Sequence, residues 1–198
     1  SCSLVGSEMC IRDRTYTPHP FTHDELKRFF DACDNIKPRR GRLAAIQRMT
    51  LPVFFRLLYS SGMRTTEAIL LERDDVNLEN GVVSIKRGKG YDQHYAVLHD
   101  TMLDLMRTYD GRMDELVPNR RVFFPTPDDK PHPPAWVTYH FRVLWQSCNS
   151  SHAIPYELRH NYAIENINSW THQGFAVHDK LLALSKSMGH LSLIHISE

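Results

Sequence analysis

The stretch from residue 42 to residue 62 constrains the fold more than any other part of the chain. Its apolar residues recur at the three- and four-residue spacing of a helix buried along one side, and they are Ile46, Met49, Val53, Phe54, Leu57 and Leu58. Pro52 lies inside this pattern and predicts a kink, and Gly62 predicts the point where the helix ends. A helix with so broad an apolar face needs other elements packed around it.

Several further segments predict helices. Thr22-His-Asp-Glu25 is a capping box, with Phe21 placed to pack on Leu26, and it predicts a helix over 23–34. A helix that begins at Asp100 or Thr101 is expected to end near Tyr109, and the apolar stripe from 137 to 148 predicts another. Two more are expected from Pro155 to about 165 and over about 177–188, separated by a polar, irregular segment at 166–174.

One β-hairpin completes the expected secondary structure. Residues 82–86 and 94–98 are rich in β-branched and aromatic residues, and they flank Arg87-Gly-Lys-Gly-Tyr-Asp92, which places Lys89 at the tip. The Arg-Asp-Asp stretch at 73–75 is expected to close the short helix before it, and the proline-rich stretch at 125–134 predicts a loop. The fold class is therefore mainly α with a small antiparallel β-sheet, an α+β domain.

The composition fits one domain. A chain of 198 residues that is 41% hydrophobic and 24% charged can bury one core of ordinary size. The net charge of +1 gives no general attraction for nucleic acid, so such a role needs locally clustered charge. Four cysteines without a Cys-x-x-Cys pair favour a reducing compartment, and no apolar run approaches the roughly 20 residues that span a bilayer. We expect a soluble, intracellular protein.

Two arginines have the chemistry of a phosphate site. Arg64 lies in Ser-Gly-Met-Arg-Thr-Thr-Glu, before a short helix that Thr65 or Thr66 is expected to cap, and Arg159 lies in Tyr-Glu-Leu-Arg-His. Each guanidinium can direct two N–H donors at a phosphate, and it stays charged at any working pH. Tyr156 precedes Arg159 by three residues, so both are expected on one helix face. Cleaving a phosphodiester without a metal requires such donors, a nucleophile and an acid.

These motifs occur in the order found in the tyrosine recombinases, the phage integrase family, and residues 20–191 resemble the catalytic domain of that family. The resemblance implies a DNA breaking-rejoining fold, no cofactor, and site-specific recombination or integration through a 3′-phosphotyrosyl intermediate. It implies that Arg64 and Arg159 are the catalytic arginines, Lys89 the general acid and His190 a phosphate donor. Tyr156 stands where the family most often has histidine, and a phenol is a poorer base than imidazole at neutral pH.

The nucleophile expected from this resemblance is missing. It should follow His190 by about two helical turns, just beyond Glu198, and no tyrosine follows Tyr162. Residues 1–14 and 192–198 resemble translated sequencing-adapter read-through, so we predict non-native tails there and a C-terminally truncated catalytic domain at 15–191. On this hypothesis the chain binds the DNA backbone but does not cleave it, whereas its intact parent does.

The expected partners are double-stranded DNA and, for the intact enzyme, three further copies in a homotetramer on paired sites. The expected location is the cytoplasm, at the nucleoid of a prokaryote or with a phage. Two alternatives stay open: a type IB topoisomerase-like enzyme and a non-catalytic DNA-binding module of the same fold.

A basic cluster precedes the central helix and consists of Lys37, Arg39, Arg40 and Arg42. It is either a solvated linker or a contact to the DNA backbone. The twelve histidines lack a repeated ligand pair, so we predict no metal site.

Overall fold

The computed structural model describes residues 19–86 and 93–171, together with Lys180, Leu184 and Met188. Six α-helices, one 3₁₀ turn and three strands make up the elements of this part of the chain. In order they are α1 (His23–Asp34), α2 (Arg42–Ser61), α3 (Thr65–Ile69), the 3₁₀ turn (Arg73–Asp75), β1 (Val76–Asn77), β2 (Val82–Ile85), β3 (His94–Val97), α4 (Asp100–Leu116), α5 (Pro134–Cys148) and α6 (Tyr156–Thr171). The predicted class, mainly α with a small antiparallel sheet, is confirmed.

Helix α2 forms the centre of the domain, as its apolar pattern predicts. It packs against α1, α3, α4 and α6, and several of its side chains are completely buried, namely Ile46, Phe54, Phe55 and Leu57. Pro52 lies within the helix, and Gly62 ends it in the left-handed region at φ 64°. The predicted helix and its end at Gly62 are confirmed, whereas the kink at Pro52 stays a prediction.

Helix α1 spans the predicted residues and carries the predicted capping box. The Thr22 hydroxyl accepts a hydrogen bond from the Glu25 backbone N–H at 3.2 Å, and the Glu25 carboxylate accepts one from the Thr22 N–H at 3.0 Å. Phe21 lies 5.0 Å from the ring of Trp145, centroid to centroid, and this contact joins the start of α1 to α5. Buried Phe29 extends the same aromatic cluster inward, at 4.9 Å from Phe141.

The sheet is antiparallel in the order β1-β2-β3. Val82 pairs with Val97 and Ile85 with His94, which confirms the predicted hairpin. Its tip, including Lys89, lies outside the described residues. Strand β1 pairs with β2 and was not predicted, because two residues are too short to show a periodicity.

Three predicted boundaries are wrong. Residues 73–75 form a separate 3₁₀ turn and do not close α3, which ends at Ile69. Helix α4 continues to Leu116, because buried Met113 extends the apolar stripe past Tyr109. Helix α6 continues through 166–171, where Asn166 and Ser169 donate hydrogen bonds to carbonyls within the helix instead of breaking it.

The predicted tails at 1–14 and 192–198 lie outside the described residues. Within the helix predicted over 177–188, Lys180 and Leu184 are helical and Met188 lies in a turn. Among the described helices, none combines the length and apolar character that crossing a membrane requires.

A buried ionic network fixes α4 to the loop that follows it. The Arg120 side chain is completely buried and donates to Asp110 and Asp114, which lie one turn apart on α4. Arg73 donates to the second oxygen of each carboxylate, at 2.9 and 3.2 Å. The two aspartates therefore lie between two arginines, and removing the buried one leaves their charge only partly compensated.

We predict that Arg120→Ala lowers the free energy of unfolding by about 3 kcal/mol, because it removes a completely buried side chain and leaves one oxygen of each aspartate without its donor. The adjacent Arg121 is a matched control, since its side chain is 58% exposed and bonds Glu72 at the surface. Arg121→Ala should cost less than about 1 kcal/mol. Urea unfolding of both variants measures the difference, and equal losses would contradict the assigned network.

The carboxylate of Glu25 joins α1 to the loop that precedes α6. The Ser151 hydroxyl donates to it, and His19 Nε2 lies 3.1 Å away. Burial raises the pKa of Glu25, but the hydrogen bonds from Ser151, Thr22 and His19 outweigh burial and lower the pKa to about 2, from an ordinary value of 4.5. The folded state therefore favours the charged form.

The stability contributed by this carboxylate should be fully present above pH 4.5 and should be lost as the pH falls towards 2, because the unfolded chain takes up the proton first. We predict that Glu25→Gln shows a shallower loss of unfolding free energy across this window than the unmodified protein. Urea unfolding at a series of pH values measures it. Asp24→Asn, an exposed change in the same turn, should keep the full slope, and a Glu25→Gln slope equal to it would refute the assignment.

Candidate functional site

The turn between α2 and α3 places Arg64. Gly62 adopts φ 64° and donates its N–H to Leu58 O at 3.1 Å, which ends α2. Met63 then turns into the core, with 2% of its surface exposed, and Arg64 follows as the N-cap residue of α3. The prediction that Thr65 or Thr66 caps this helix is wrong, because both lie inside its first turn.

Glu67 holds Arg64 in two ways. One carboxylate oxygen accepts the Arg64 backbone N–H at 2.7 Å, and the other accepts from Arg64 Nη1 at 2.6 Å. The Glu67 side chain is 1% exposed, whereas 27% of the Arg64 side chain remains exposed. Glu67 was not predicted as a site residue, although its place three residues after Arg64, on the same helix face, was an available signal.

Arg159 approaches the same turn from α6. The residue is 3% exposed, and its guanidinium donates from Nη1 to Gly62 O at 2.5 Å and from Nη2 to Met188 O at 2.6 Å. Both acceptors are neutral backbone carbonyls. The bond to Gly62 spans 97 positions of the chain and brings Arg159 next to the segment that carries Arg64.

The electrostatics of Arg159 show how close these groups are. Burial lowers the pKa of Arg159, and the neighbouring positive charge of Arg64 lowers it further, while Glu67 and a hydrogen bond with Tyr156 act in the opposite direction. Tyr156 is 43% exposed, and its ring lies edge-on to His160 at 4.8 Å. Tyr156 and Arg159 lie three positions apart in α6, which confirms the predicted common face.

The structure thus brings together Arg64, Tyr156 and Arg159 of the predicted site residues. Lys89 and His190 lie outside the described residues, so their places in the site stay predictions. Met188, whose carbonyl accepts from Arg159, precedes His190 by two residues in the sequence. In the described part of the chain, no three His, Cys, Asp or Glu side chains converge to form a metal site.

The basic cluster between α1 and α2 has one member with a defined structural role. Arg42 donates to the Leu116 carbonyl at 2.9 and 2.7 Å and so joins the start of α2 to the end of α4. Lys37, Arg39 and Arg40 are exposed. Contact between these side chains and a DNA backbone stays a prediction.

The site formed by Arg64, Arg159 and Tyr156 is suited to an anion with several acceptor oxygens. Two guanidiniums, one partly exposed and one buried, are near enough to interact electrostatically, and the Tyr156 hydroxyl adds a further polar group. The positive charges of Arg64 and Arg159 repel each other, and an anion between them would relieve the repulsion. A phosphodiester carries a negative charge and two non-bridging oxygens, which the two-donor edge of a guanidinium can bind together.

Comparison with known proteins agrees with this chemistry. The profile of the phage integrase family matches residues 20–174. The tyrosine recombinase XerC of Chlorobaculum tepidum is 24% identical over 196 residues, which cover 89% of this chain and 54% of that protein. The chain therefore spans about half the length of this curated relative.

Solved structures show the same fold. The XerH site-specific recombinase in a pre-cleavage complex with its difH substrate has a TM-score of 0.65 at 20% identity, over 93% of this chain and 50% of that one. A lambda integrase tetramer bound to a Holliday junction has a TM-score of 0.59 at 15% identity, over 91% of this chain and 49% of that one. With the family profile covering most of the chain, this protein belongs to the phage integrase family.

Proposed function

We propose that the protein acts in site-specific DNA recombination or integration, by cleaving and rejoining a DNA strand through a 3′-phosphotyrosyl intermediate. The observation that carries this proposal is the hydrogen bond from Arg159 to Gly62, which spans 97 positions and brings Arg159 to the turn that carries Arg64. Family membership supports the reaction type. The substrate is the backbone of double-stranded DNA.

In this proposal the two arginines bind the non-bridging oxygens of the scissile phosphate. Arg159 keeps its positive charge available to the phosphate, because its two partners, the Gly62 and Met188 carbonyls, are neutral. Arg64 is oriented by Glu67 and presents the exposed part of its side chain. Each such donor contributes about 3 kcal/mol to the transition state, judged by the removal of comparable donors elsewhere.

The remaining roles follow from the resemblance and complete the reaction. Lys89 donates a proton to the leaving 5′ oxygen, and His190 donates a hydrogen bond to the phosphate. Tyr156 donates to a phosphate oxygen and supports the charged form of Arg159, whose pKa it raises. The nucleophile implied by the resemblance is a tyrosine that follows His190, and no tyrosine follows Tyr162 in these 198 residues.

The proposed assembly is a homotetramer on paired DNA sites. The lambda integrase structure with the same fold is a tetramer on a Holliday junction, and the XerH structure holds its difH substrate. Attack by the 5′ hydroxyl of a partner strand reverses the phosphotyrosyl link, so the energy of the phosphodiester is kept and no high-energy cofactor is needed.

We predict that Arg64→Gln and Arg159→Gln each weaken binding to a random-sequence duplex. Each should reduce the slope of log affinity against log salt by about 0.9, the value for one lost phosphate contact. Arg107→Gln is the control, because Arg107 is an exposed arginine of α4 that bonds Asp104 and two nearby carbonyls. Fluorescence anisotropy at several salt concentrations measures all three, and unchanged slopes for both site variants would refute the phosphate site.

The proposed acid can be tested in a version of the protein extended with the tyrosine-bearing segment of a relative. We predict that Lys89→Ala slows cleavage of a nicked suicide substrate by about 10²-fold or more, because the 5′ alkoxide then leaves without a proton. With a 5′ bridging sulfur, whose thiolate leaves readily, the variant should cleave as fast as its parent. An equal defect on both substrates would assign Lys89 to binding instead.

A further inference from the structure

Gly62 is held from two directions by one face of α6. A Cβ atom at position 62 would lie 2.3 Å from Cδ1 of Tyr162, so the tyrosine ring packs directly on the glycine backbone. Arg159, three residues earlier on α6, donates to the carbonyl of the same glycine. The Tyr162 ring and the Arg159 guanidinium therefore both contact Gly62.

The same glycine sets the position of the first arginine. Arg64 follows Gly62 by two residues, and buried Met63 between them fixes the path of the chain. Any shift of the Gly62 peptide would consequently move the acceptor of Arg159 and the backbone of Arg64 together. The geometry of the two guanidiniums relative to each other depends on this one peptide.

The guanidinium of Arg159 is also limited in its rotation. Its two terminal nitrogens each donate to a carbonyl, Gly62 on one side and Met188 on the other. A guanidinium has five N–H donors, so three remain for Tyr156 and a phosphate. With both terminal nitrogens bonded, the plane of the guanidinium and the directions of its remaining donors are fixed before DNA arrives, and less conformational freedom is lost on binding.

We propose that Gly62 and Tyr162 are positioning residues for phosphate binding. The Tyr162 ring holds the Gly62 peptide in place, and the Gly62 carbonyl orients Arg159 towards the phosphate that Arg64 also binds. This inference rests on the proposed function, since it assigns Arg159 a phosphate ligand. It differs from an ordinary helix-ending role, which needs the left-handed backbone of glycine but not the ring packed against it.

Alanine substitutions at three glycines distinguish a steric conflict with Tyr162 from backbone strain alone. At Gly62 an added methyl group meets both a positive φ of 64° and the Tyr162 ring. Gly41 has a φ of 104° with nothing within 4 Å of the added atom, so alanine there tests backbone strain alone. Gly111 lies inside α4 with nothing within 4 Å and no positive φ, so alanine there introduces neither backbone strain nor a steric conflict.

The experiment measures the affinity of the 198-residue chain for a fluorescein-labelled random-sequence duplex at several salt concentrations. Binding is measured below the melting temperature of every variant. We expect Gly62→Ala to lose about one unit of salt slope, as for one lost phosphate contact, while Gly41→Ala and Gly111→Ala keep the slope of the unmodified protein. A merely structural role would lower the melting temperature of Gly62→Ala and leave its slope unchanged, which would overturn the inference.

Variants of Tyr162 provide a second, independent measurement. Tyr162→Phe retains the ring and should keep the full salt slope, whereas Tyr162→Ala should lose part of it. In the double variant Gly62→Ala/Tyr162→Ala the added methyl group no longer meets the ring. Its loss of affinity should therefore be smaller than the product of the two single losses. Losses that simply multiply would show that Gly62 and Tyr162 act separately, and the inference would fail.

The outcome also distinguishes this inference from the function on which it rests. If Arg159→Gln leaves the salt slope unchanged, the phosphate site itself is wrong. If Arg159→Gln reduces the slope while Gly62→Ala and Tyr162→Ala do not, the phosphate site stands and the positioning role is refuted. The ¹⁵Nη resonances of Arg159 add a direct readout, because loss of the hydrogen bond to the carbonyl of residue 62 in Gly62→Ala should shift one of the two and speed its exchange.

Discussion

The hydrogen bond from Arg159 to the Gly62 carbonyl is the interaction on which the site depends. Its two residues are 97 positions apart, so it forms when α6 packs on the end of α2. Helix α2 is in turn fixed by the core, where Phe54, Phe55 and Leu57 are completely buried. A well-packed interior has few alternative arrangements, and the spacing of the two arginines inherits that rigidity. The site is thus an extension of the core.

The positive charges of Arg64 and Arg159 are compensated unequally, and the less compensated charge favours binding of an anion. Arg64 has a buried carboxylate partner in Glu67, which offsets one positive charge. Arg159 is bonded to two carbonyls, which accept its hydrogens without neutralising its charge. Burial and Arg64 both lower the pKa of Arg159, so the folded protein holds a charge in a place that disfavours it. A bound phosphate would remove that penalty, which gives the site a physical reason to prefer an occupied state.

The features that the sequence predicted are those set by local patterns. The capping box at Thr22, the apolar stripe of α2 and the hairpin strands each depend on neighbours within a few positions, and each is confirmed. The order of motifs also predicted that Arg64 and Arg159 share a site, and the structure brings Arg159 to the turn that carries Arg64. What the sequence could not show is the pairing of Arg159 with the Met188 carbonyl, because backbone acceptors have no residue signature. The length of α6 was missed for a related reason: the polar residues of 166–171 satisfy their hydrogen bonds inside the helix.

Gly62 shows why a correct sequence inference can still be incomplete. Its position after an apolar helix predicts a helix end, and a left-handed φ of 64° confirms that role. Asparagine is also tolerated in that backbone conformation at many helix ends. Here, however, the Tyr162 ring would lie 2.3 Å from any Cβ, so even the smallest side chain conflicts with α6. Two independent demands thus apply to Gly62, whose carbonyl accepts from Arg159. The first is the left-handed backbone conformation, and the second is the absence of a side chain where the Tyr162 ring packs. The second demand comes from a residue a hundred positions away along the chain, and it explains why glycine is needed here in particular.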